Sequence, residues 1–315
     1  MQYKILKMHF KTSVHFGSGN LHKSQYVVYA DTIFSALCIE AVKRGTKTLQ
    51  DLVNAVRQNH LRISDGLPYI GEDLYLPKPM MEISAEQWGD SIVKKAMKKL
   101  EYLPAEKFSD YLAGRLDVGA EEKYFRQNLG RSGLMTKASI GAEETTPYNV
   151  GIFTYGSDSG LYLIIAYESE KDFSMLCDLF ESLTYAGLGG KISAGLGKFD
   201  MVILPVPADL GQKLSEGEKT KYSKMSLSAS LPTEKELETA VDGADYKVIK
   251  RSGFVASGTY GENTRKKKDL YVFTAGSVFR EAFEGDVYDV SDHGRHPVYR
   301  YAKPMFMEVR PCSLS

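Results

Sequence analysis

Residues 3–14, YKILKMHFKTSV, alternate polar and apolar side chains, with Tyr3, Ile5, Met8 or Phe10, and Val14 as the apolar points. A period of two predicts a β-strand with one buried face. The HFGSG that follows reads as a turn, because Gly17 and Gly19 permit positive φ. ADTIFSALCIEAVKRG then changes to helical spacing. Asp31 is its expected N-cap, Ile33, Phe34, Leu37 and Ala41 form the apolar stripe, Lys43 and Arg44 suit the negative C-terminal end, and Gly45 stops it. A second helix is predicted over residues 48–58, and LYLPKPM at 74–80 is predicted as a short edge strand, since its two prolines cannot donate to a ladder.

Residues 90–116 carry a basic helical pattern. The LGRSGLMTKASIGAEETTPYNVG beyond it holds too many turn formers for a helix and reads as a long hairpin or finger. Strands are predicted at 150–155 and at 160–168, the latter apolar enough to be central in a sheet. An amphipathic helix started by Asp172 is predicted over 172–185, and FDMVILPV closes the unit as a strand. The order β, α, β, β, α, β with a long insertion is the ferredoxin-like pattern. From Pro205 the chain holds prolines, glycines and many charges, the composition of a linker. The pattern then restarts, with strands in YSKMSLSASL, YKVIKRSGFVA, DLYVFTAGSVF and HPVYRYAKPMFMEV and one helix in TEKELETAVDG, where Thr233 and Glu236 make a capping box. The expected class is α+β, with two ferredoxin-like (RRM-like) domains. The first, 1–204, carries the insertion; the second and smaller, 220–315, follows a linker at 205–219.

Composition narrows the class of function. Among 315 residues, 43% are hydrophobic and 25% charged, as in an ordinary globular chain. No apolar run is long enough to span a membrane, and the N-terminus lacks the apolar core of an export signal. The three cysteines, Cys38, Cys177 and Cys312, lie far apart, which fits a reducing cytoplasm. Lys plus Arg equals Asp plus Glu at 40 each, so the whole chain has no bulk attraction for nucleic acid. Charge is nevertheless uneven: KKAMKK at 94–99 with Arg126, Arg131 and Lys137 forms one basic stretch, and RKKK at 265–268 another.

The segment AGLGGKISAGLGKF, residues 186–199, places glycines at 187, 189, 190, 195 and 197 between a helix end and a strand start. Such a loop can aim several backbone N–H groups at a phosphate, with Lys191, Ser193 and Lys198 as side-chain donors. A P-loop or dinucleotide site has its glycines after a strand and before a helix. Here the order is reversed, so the helix dipole disfavours a free mononucleotide, and an extended polyanion is the preferred ligand.

This loop resembles the signature of the RAMP superfamily of CRISPR RNA-binding proteins. With ADTIFSALC, KRSGF at 250–254 and AGSVF at 275–279 in that order, nearly the whole chain resembles the subunit of the type III-A Csm effector complex that holds the 5′ tag of the guide RNA. The resemblance implies paired ferredoxin-like domains and a thumb hairpin spanning roughly 128–150. It also implies a non-catalytic role in antiviral defence, capping the repeat-derived 5′ tag of the crRNA. The large polymerase-like Csm subunit and the backbone RAMP subunit would be its neighbours, with target RNA nearby. Carried over residue by residue, Gly187, Gly189, Gly190, Lys191, Ser193 and Gly195 are implied tag contacts. His15 and Gly17, and Arg251 with Ser252, are further candidates, and Arg131 and Lys137 belong to the thumb near the RNA. Tyr124, Tyr148 and Tyr155 lie where rings can stack on splayed bases.

Some relatives in the superfamily are metal-independent guide-processing endoribonucleases that shuttle a proton through a histidine. His9, His15 and His22 are the residues that alternative would use. No Cys or His pair shows zinc-ligand spacing beside another pair, and no paired aspartate motif suits two-metal cleavage. No catalytic residue, metal or other cofactor is expected.

Overall fold

The computed structural model describes residues 1–17, 19–83, 91–140, 145–257, 260–261 and 265–310. The alternating N-terminal segment is strand β1 (Gln2–Phe10). Two helices follow, α1 (Ala30–Arg44) and α2 (Thr46–Arg57), separated by Gly45 at φ 132°. Then come β2 (Leu61–Ile63), β3 (Leu67–Ile70), β4 (Asp73–Pro77), helix α3 (Ser91–Lys99), β5 (Tyr102–Pro104) and helix α4 (Val118–Asn128). The finger is a hairpin of β6 (Gly130–Ile140) and β7 (Thr145–Tyr155), in register from Gly130↔Tyr155 to Ile140↔Thr145. Its tip, 141–144, lies outside the described residues. Strand β8 (Ser159–Tyr167), helix α5 (Glu170–Ala186) and β9 (Phe199–Pro205) complete the first half.

One antiparallel sheet runs β9–β1–β8–β3–β4–β5, with β2 pairing the far end of β8. All nine residues of β8 are buried, because both faces of the sheet are covered there. Leu161, Leu163, Ile165 and Tyr167 pack toward α1, α2 and α5, whereas Tyr162, Ile164 and Ala166 pack toward residues of the C-terminal half such as Met225 and Met307. Strand β4 lies between β3 and β5, so it is not the edge strand its prolines suggest. Pro77 takes the terminal position of β4, and Pro79 falls beyond it. Helix α5 starts earlier than expected: Ser169 is the N-cap, its hydroxyl accepting from the Asp172 N–H at 3.2 Å.

The expected linker contains helix α6 (Ala208–Glu216). Leu210 and Leu214, one helical turn apart, are buried against the β8 side of the core, a spacing that the prolines and charges around it masked. Beyond it, β10 (Ser223–Ser226) sits between β13 (Val278–Phe279) and β16 (Phe306–Val309). Two ribbons, β11 (Val248–Arg251) with β12 (Leu270–Phe273) and β14 (Val287–Asp289) with β15 (Tyr299–Tyr301), pair separately. Among the described residues, this half does not form the single four-stranded sheet with two helices that a second ferredoxin-like unit would have. The helix after Thr233 shortens to Leu237–Val241, although the Thr233 N–H and hydroxyl both donate to Glu236 at 2.8 Å, as in a capping box.

Among the described residues, no helix is long and apolar enough to cross a membrane, and no group of three or more His, Cys, Asp or Glu could hold a metal ion. Cys38 and Cys177 are free thiols, and Cys312 lies outside the described residues.

Candidate nucleic-acid interface

The glycine loop leaves α5 at Gly187 (φ 92°) and returns to the sheet at β9. The sequence suggests a continuous row of free backbone donors, and the structure corrects this. Leu188 N–H donates to Gly197 O, Gly190 N–H to His15 O and Gly197 N–H to Ser13 O, each at 2.9 Å. Ala194 and Gly195 N–H close the short 3₁₀ turn Ile192–Ala194, and Lys198 N–H donates to the Thr12 hydroxyl at 3.0 Å. Leu188 and Leu196 bury their side chains beneath the loop, leaving residues 192–195 exposed. The loop is therefore braced against the end of β1, and what it offers outward is a tip flanked by Lys191 and Lys198.

Close packing explains part of the glycine content. A Cβ at Gly189 would stand 2.9 Å from His15 O, and one at Gly197 only 2.1 Å from Leu188 O. His15, buried beneath the loop, donates through Nδ1–H to Gly151 O at 2.6 Å, so it joins the glycine loop to the hairpin. Gly17 lies beside the His15 ring, in the two-residue strand Phe16–Gly17.

The hairpin is rooted in aromatic rings. Tyr155 stacks on Phe10 with centroids 5.0 Å apart, donates its hydroxyl to Tyr26 O at 2.6 Å, and is buried, which rules it out as a base-stacking ring. Tyr124 is exposed on α4. Tyr148 is half-buried opposite Lys137, and Lys191 Nζ lies 5.2 Å from the centroid of its ring. Arg131, opposite Thr154, shares the Lys137 face by the two-residue repeat of a strand. The structure thus brings Lys191, Tyr148 and Lys137 to one surface. The other basic run, Lys94, Lys95, Lys98 and Lys99, is an exposed side of α3.

Arg251 is corrected most sharply. Its Nε and Nη2 donate to the two carboxylate oxygens of Asp31 at 3.0 and 2.8 Å, and its guanidinium lies 4.1 Å from the Tyr29 ring centroid. Arg300 Nη1 donates to the same carboxylate at 3.0 Å. Asp31 is thus not the N-cap of α1, a position Tyr29 occupies without a side-chain hydrogen bond. The first amide of the helix, Ala30 N–H, instead donates to Asp65 at 2.7 Å, and Asp65 also accepts from Ala229 N–H at 3.1 Å. Burial alone would raise the Asp31 carboxyl, but the two guanidiniums outweigh it and hold it below its usual range. Among the described residues the hydrogen-bond donors to Asp65 are these two amides, and burial pushes it up to about 7. Arg251 therefore ties the C-terminal half to α1, with its charge already matched. Ser252 is exposed and lines a cleft together with Arg251, Gly187 and Gly189. Sequence reasoning missed Lys267 and Arg300 in that cleft: Lys267 is hidden in a charge run, and Arg300 had no local signal.

The site is thus an α/β scaffold with a braced loop, a two-stranded hairpin and the Lys191 and Lys137 cations near their junction. Comparison with known proteins gives the family. The family described as the CRISPR Csm4 C-terminal domain matches residues 219–309. A "CRISPR system Cms protein Csm4" of Mycobacterium tuberculosis (strain ATCC 25618 / H37Rv) is 39% identical over 312 residues, covering 98% of both chains. The protein of that name from Streptococcus thermophilus is 36% identical over 318 residues, covering 98% of this chain and 99% of the relative. The chain belongs to the Csm4 family. Its fold is shared with a chain of the Csm3-Csm4 subcomplex in the type III-A CRISPR-Cas interference complex, at TM-score 0.69 and 20% identity, covering 99% of this chain and 100% of that one. It is also shared with a chain of a Csm1-Csm4 cassette in complex with cA4, at TM-score 0.61 and 17% identity over 98% of each.

Proposed function

We propose that this chain is the non-catalytic guide-holding subunit of a type III-A Csm complex, capping the 5′ repeat-derived tag of the crRNA. The observation that carries this reading is the meeting of Lys191 and Tyr148, which makes the glycine loop and the hairpin two walls of one basic, aromatic-bearing surface. The contact set is the exposed tip with Ser193 and Gly195, flanked by Lys191 and Lys198, together with Arg131 and Lys137 on the hairpin acting as a thumb. Gly187, Gly189, Gly190, His15 and Gly17 hold that surface in shape. The large polymerase-like subunit and the backbone subunit are its neighbours, a reading supported by solved relatives that are Csm1-Csm4 and Csm3-Csm4 assemblies. The order β9–β1–β8–β2 with crossing helices supports a ferredoxin-like domain at 1–204. The smaller unit is 220–315, with α6 in the connection between them.

Lys191→Ala combined with Ser193→Ala tests the assignment. Complexes purified with this variant should retain less guide RNA at an unchanged melting temperature, and the salt slope of binding should fall by about one for the lysine withdrawn from a phosphate. Guide retention equal to that of the unaltered complex rejects the site. The endoribonuclease alternative has its own check: the purified chain should leave precursor guide RNA intact without metal, and cutting abolished by His15→Ala would reverse the conclusion.

A further inference from the structure

Helix α3 carries four lysines that the guide-holding surface does not use. Lys94, Lys95, Lys98 and Lys99 are all exposed, whereas Val93, Ala96 and Met97 are half-buried and Leu100, just past the helix, is buried in the core. The spacing sets Lys94 over Lys98 and Lys95 over Lys99, two pairs of like charges about 6 Å apart along the axis. Each pair repels, and Lys94 stands in the first turn, where the macrodipole disfavours a cation. At the other end the Met97 carbonyl already accepts from Lys78 Nζ at 2.5 Å, so the helix does not depend on Lys98 or Lys99 for a cap. Among the described residues no acid relieves this repulsion. None of the four lysines is in an ion pair, and the nearby acids are engaged elsewhere: Glu101 accepts from the Tyr26 hydroxyl, Glu121 pairs with Lys107, and Glu122 pairs with Arg126.

What surrounds the lysines selects the partner. In the described part of α3, lysine is the only residue type that is exposed. Protein interfaces are built around apolar and aromatic centres and are poor in lysine, so this face is unlike one. An ammonium is a point charge that meets a phosphate from many directions and reads no base. A row of them fits the sugar-phosphate backbone of a nucleic-acid strand, held without regard to sequence. Its place in the fold also sets it apart from the glycine loop. Helix α3 leads into β5, the edge of the main sheet opposite β9, into which the glycine loop runs. Five strand spacings, about 24 Å, lie between the two edges.

We propose that the lysine face of α3 is a second, sequence-independent docking surface, which holds the phosphates of a single nucleic-acid strand other than the guide's tag. It goes beyond the guide-holding reading and needs neither Lys191 nor the hairpin, so the two fail separately.

Lys94→Gln, Lys95→Gln, Lys98→Gln and Lys99→Gln together remove the four charges and leave good helix formers in place. A control changes four exposed lysines elsewhere, Lys47→Gln, Lys171→Gln, Lys235→Gln and Lys247→Gln, and so lowers the net charge equally. Both chains are assembled into guide-loaded complexes and titrated with a labelled single strand that has no complementarity to the guide, once as RNA and once as DNA. The α3 variant should lose affinity on the order of a hundredfold at ~0.1 M salt for both strands, and its salt slope should fall by about three, four contacts at about 0.7 each. The control should bind as the unaltered complex does. Should the fourfold change disturb assembly, Lys95→Gln with Lys99→Gln should lose about half of that slope. Affinity unchanged in the α3 variants, or lowered equally in the control, overturns the proposal. So does a loss confined to one base sequence. Unchanged strand affinity with loss of a co-purifying protein subunit also overturns it, and would give the face to an acidic protein segment. Guide retention is the separate readout: it should stay normal in the α3 variants, and normal retention in the Lys191→Ala, Ser193→Ala variant would remove the glycine-loop assignment while leaving this face in place.

Discussion

Around the glycine loop, backbone groups brace the chain and the lysines keep their charges outward; around Asp31, side chains brace one another and the charges turn inward. Gly190 and Gly197 N–H groups hold the loop on His15 and Ser13, and the Lys191 ammonium faces the Tyr148 ring. At the junction, one carboxylate accepts from Arg251 and Arg300, and its neighbour Asp65 accepts from two amides, one in each half. The difference separates cations open to a ligand from cations already matched. A basic residue in a functional-looking segment carries little information until its partner is known.

The largest effect that could break this contrast is at Asp31. Asp31→Ala leaves two guanidiniums buried and unpaired and should lower stability by about 3–5 kcal/mol in denaturant titrations. A loss below about 1 kcal/mol would mean that Arg251 is not a tie, and its candidacy as an RNA contact would reopen. Asp65 sharpens the comparison through pH. Its folded value of about 7 lies above the ordinary 3.8, so the folded state binds this proton more tightly. Its contribution is therefore complete below pH 3.8 and is lost as pH rises through about 7, a change on the order of 4 kcal/mol. Asp65→Asn, which keeps an oxygen for Ala30 and Ala229, should flatten stability across that window; an unaltered slope would assign the titration elsewhere.

Elements with a strong local period were legible in the sequence. Strand β1 announced itself by alternation, and α1, α5 and β9 by spacing and flanking residues, because burial on one face leaves a repeat in the chain. Helix α6 was hidden, since its two buried leucines are outnumbered by turn formers and charges. The Asp31 tie was out of reach for a different reason: its partners are 220 and 269 residues away, and a local N-cap reading accounts for an aspartate at a helix start just as well. The glycine loop was located correctly, but the side of the chain that demands its glycines was not. Gly189 and Gly197 are required by His15 and Leu188, neighbours that only the folded chain supplies.

That distinction yields the finest test, because two glycines in the same loop and the same backbone region should answer differently. Gly197 has φ 76° and no room for a Cβ, so Gly197→Ala should destabilise the fold by about 2 kcal/mol and disturb guide retention only as a consequence. Gly195 has φ 84° with nothing within 4 Å, so Gly195→Ala should cost about 1 kcal/mol from backbone conformation alone. If the exposed tip meets a sugar-phosphate strand, Gly195→Ala should weaken guide retention more than its small stability loss accounts for, because the methyl group would occupy space the strand requires. Equal retention at matched stability would place the strand elsewhere and leave Lys191 as a solvated cation beside a tyrosine.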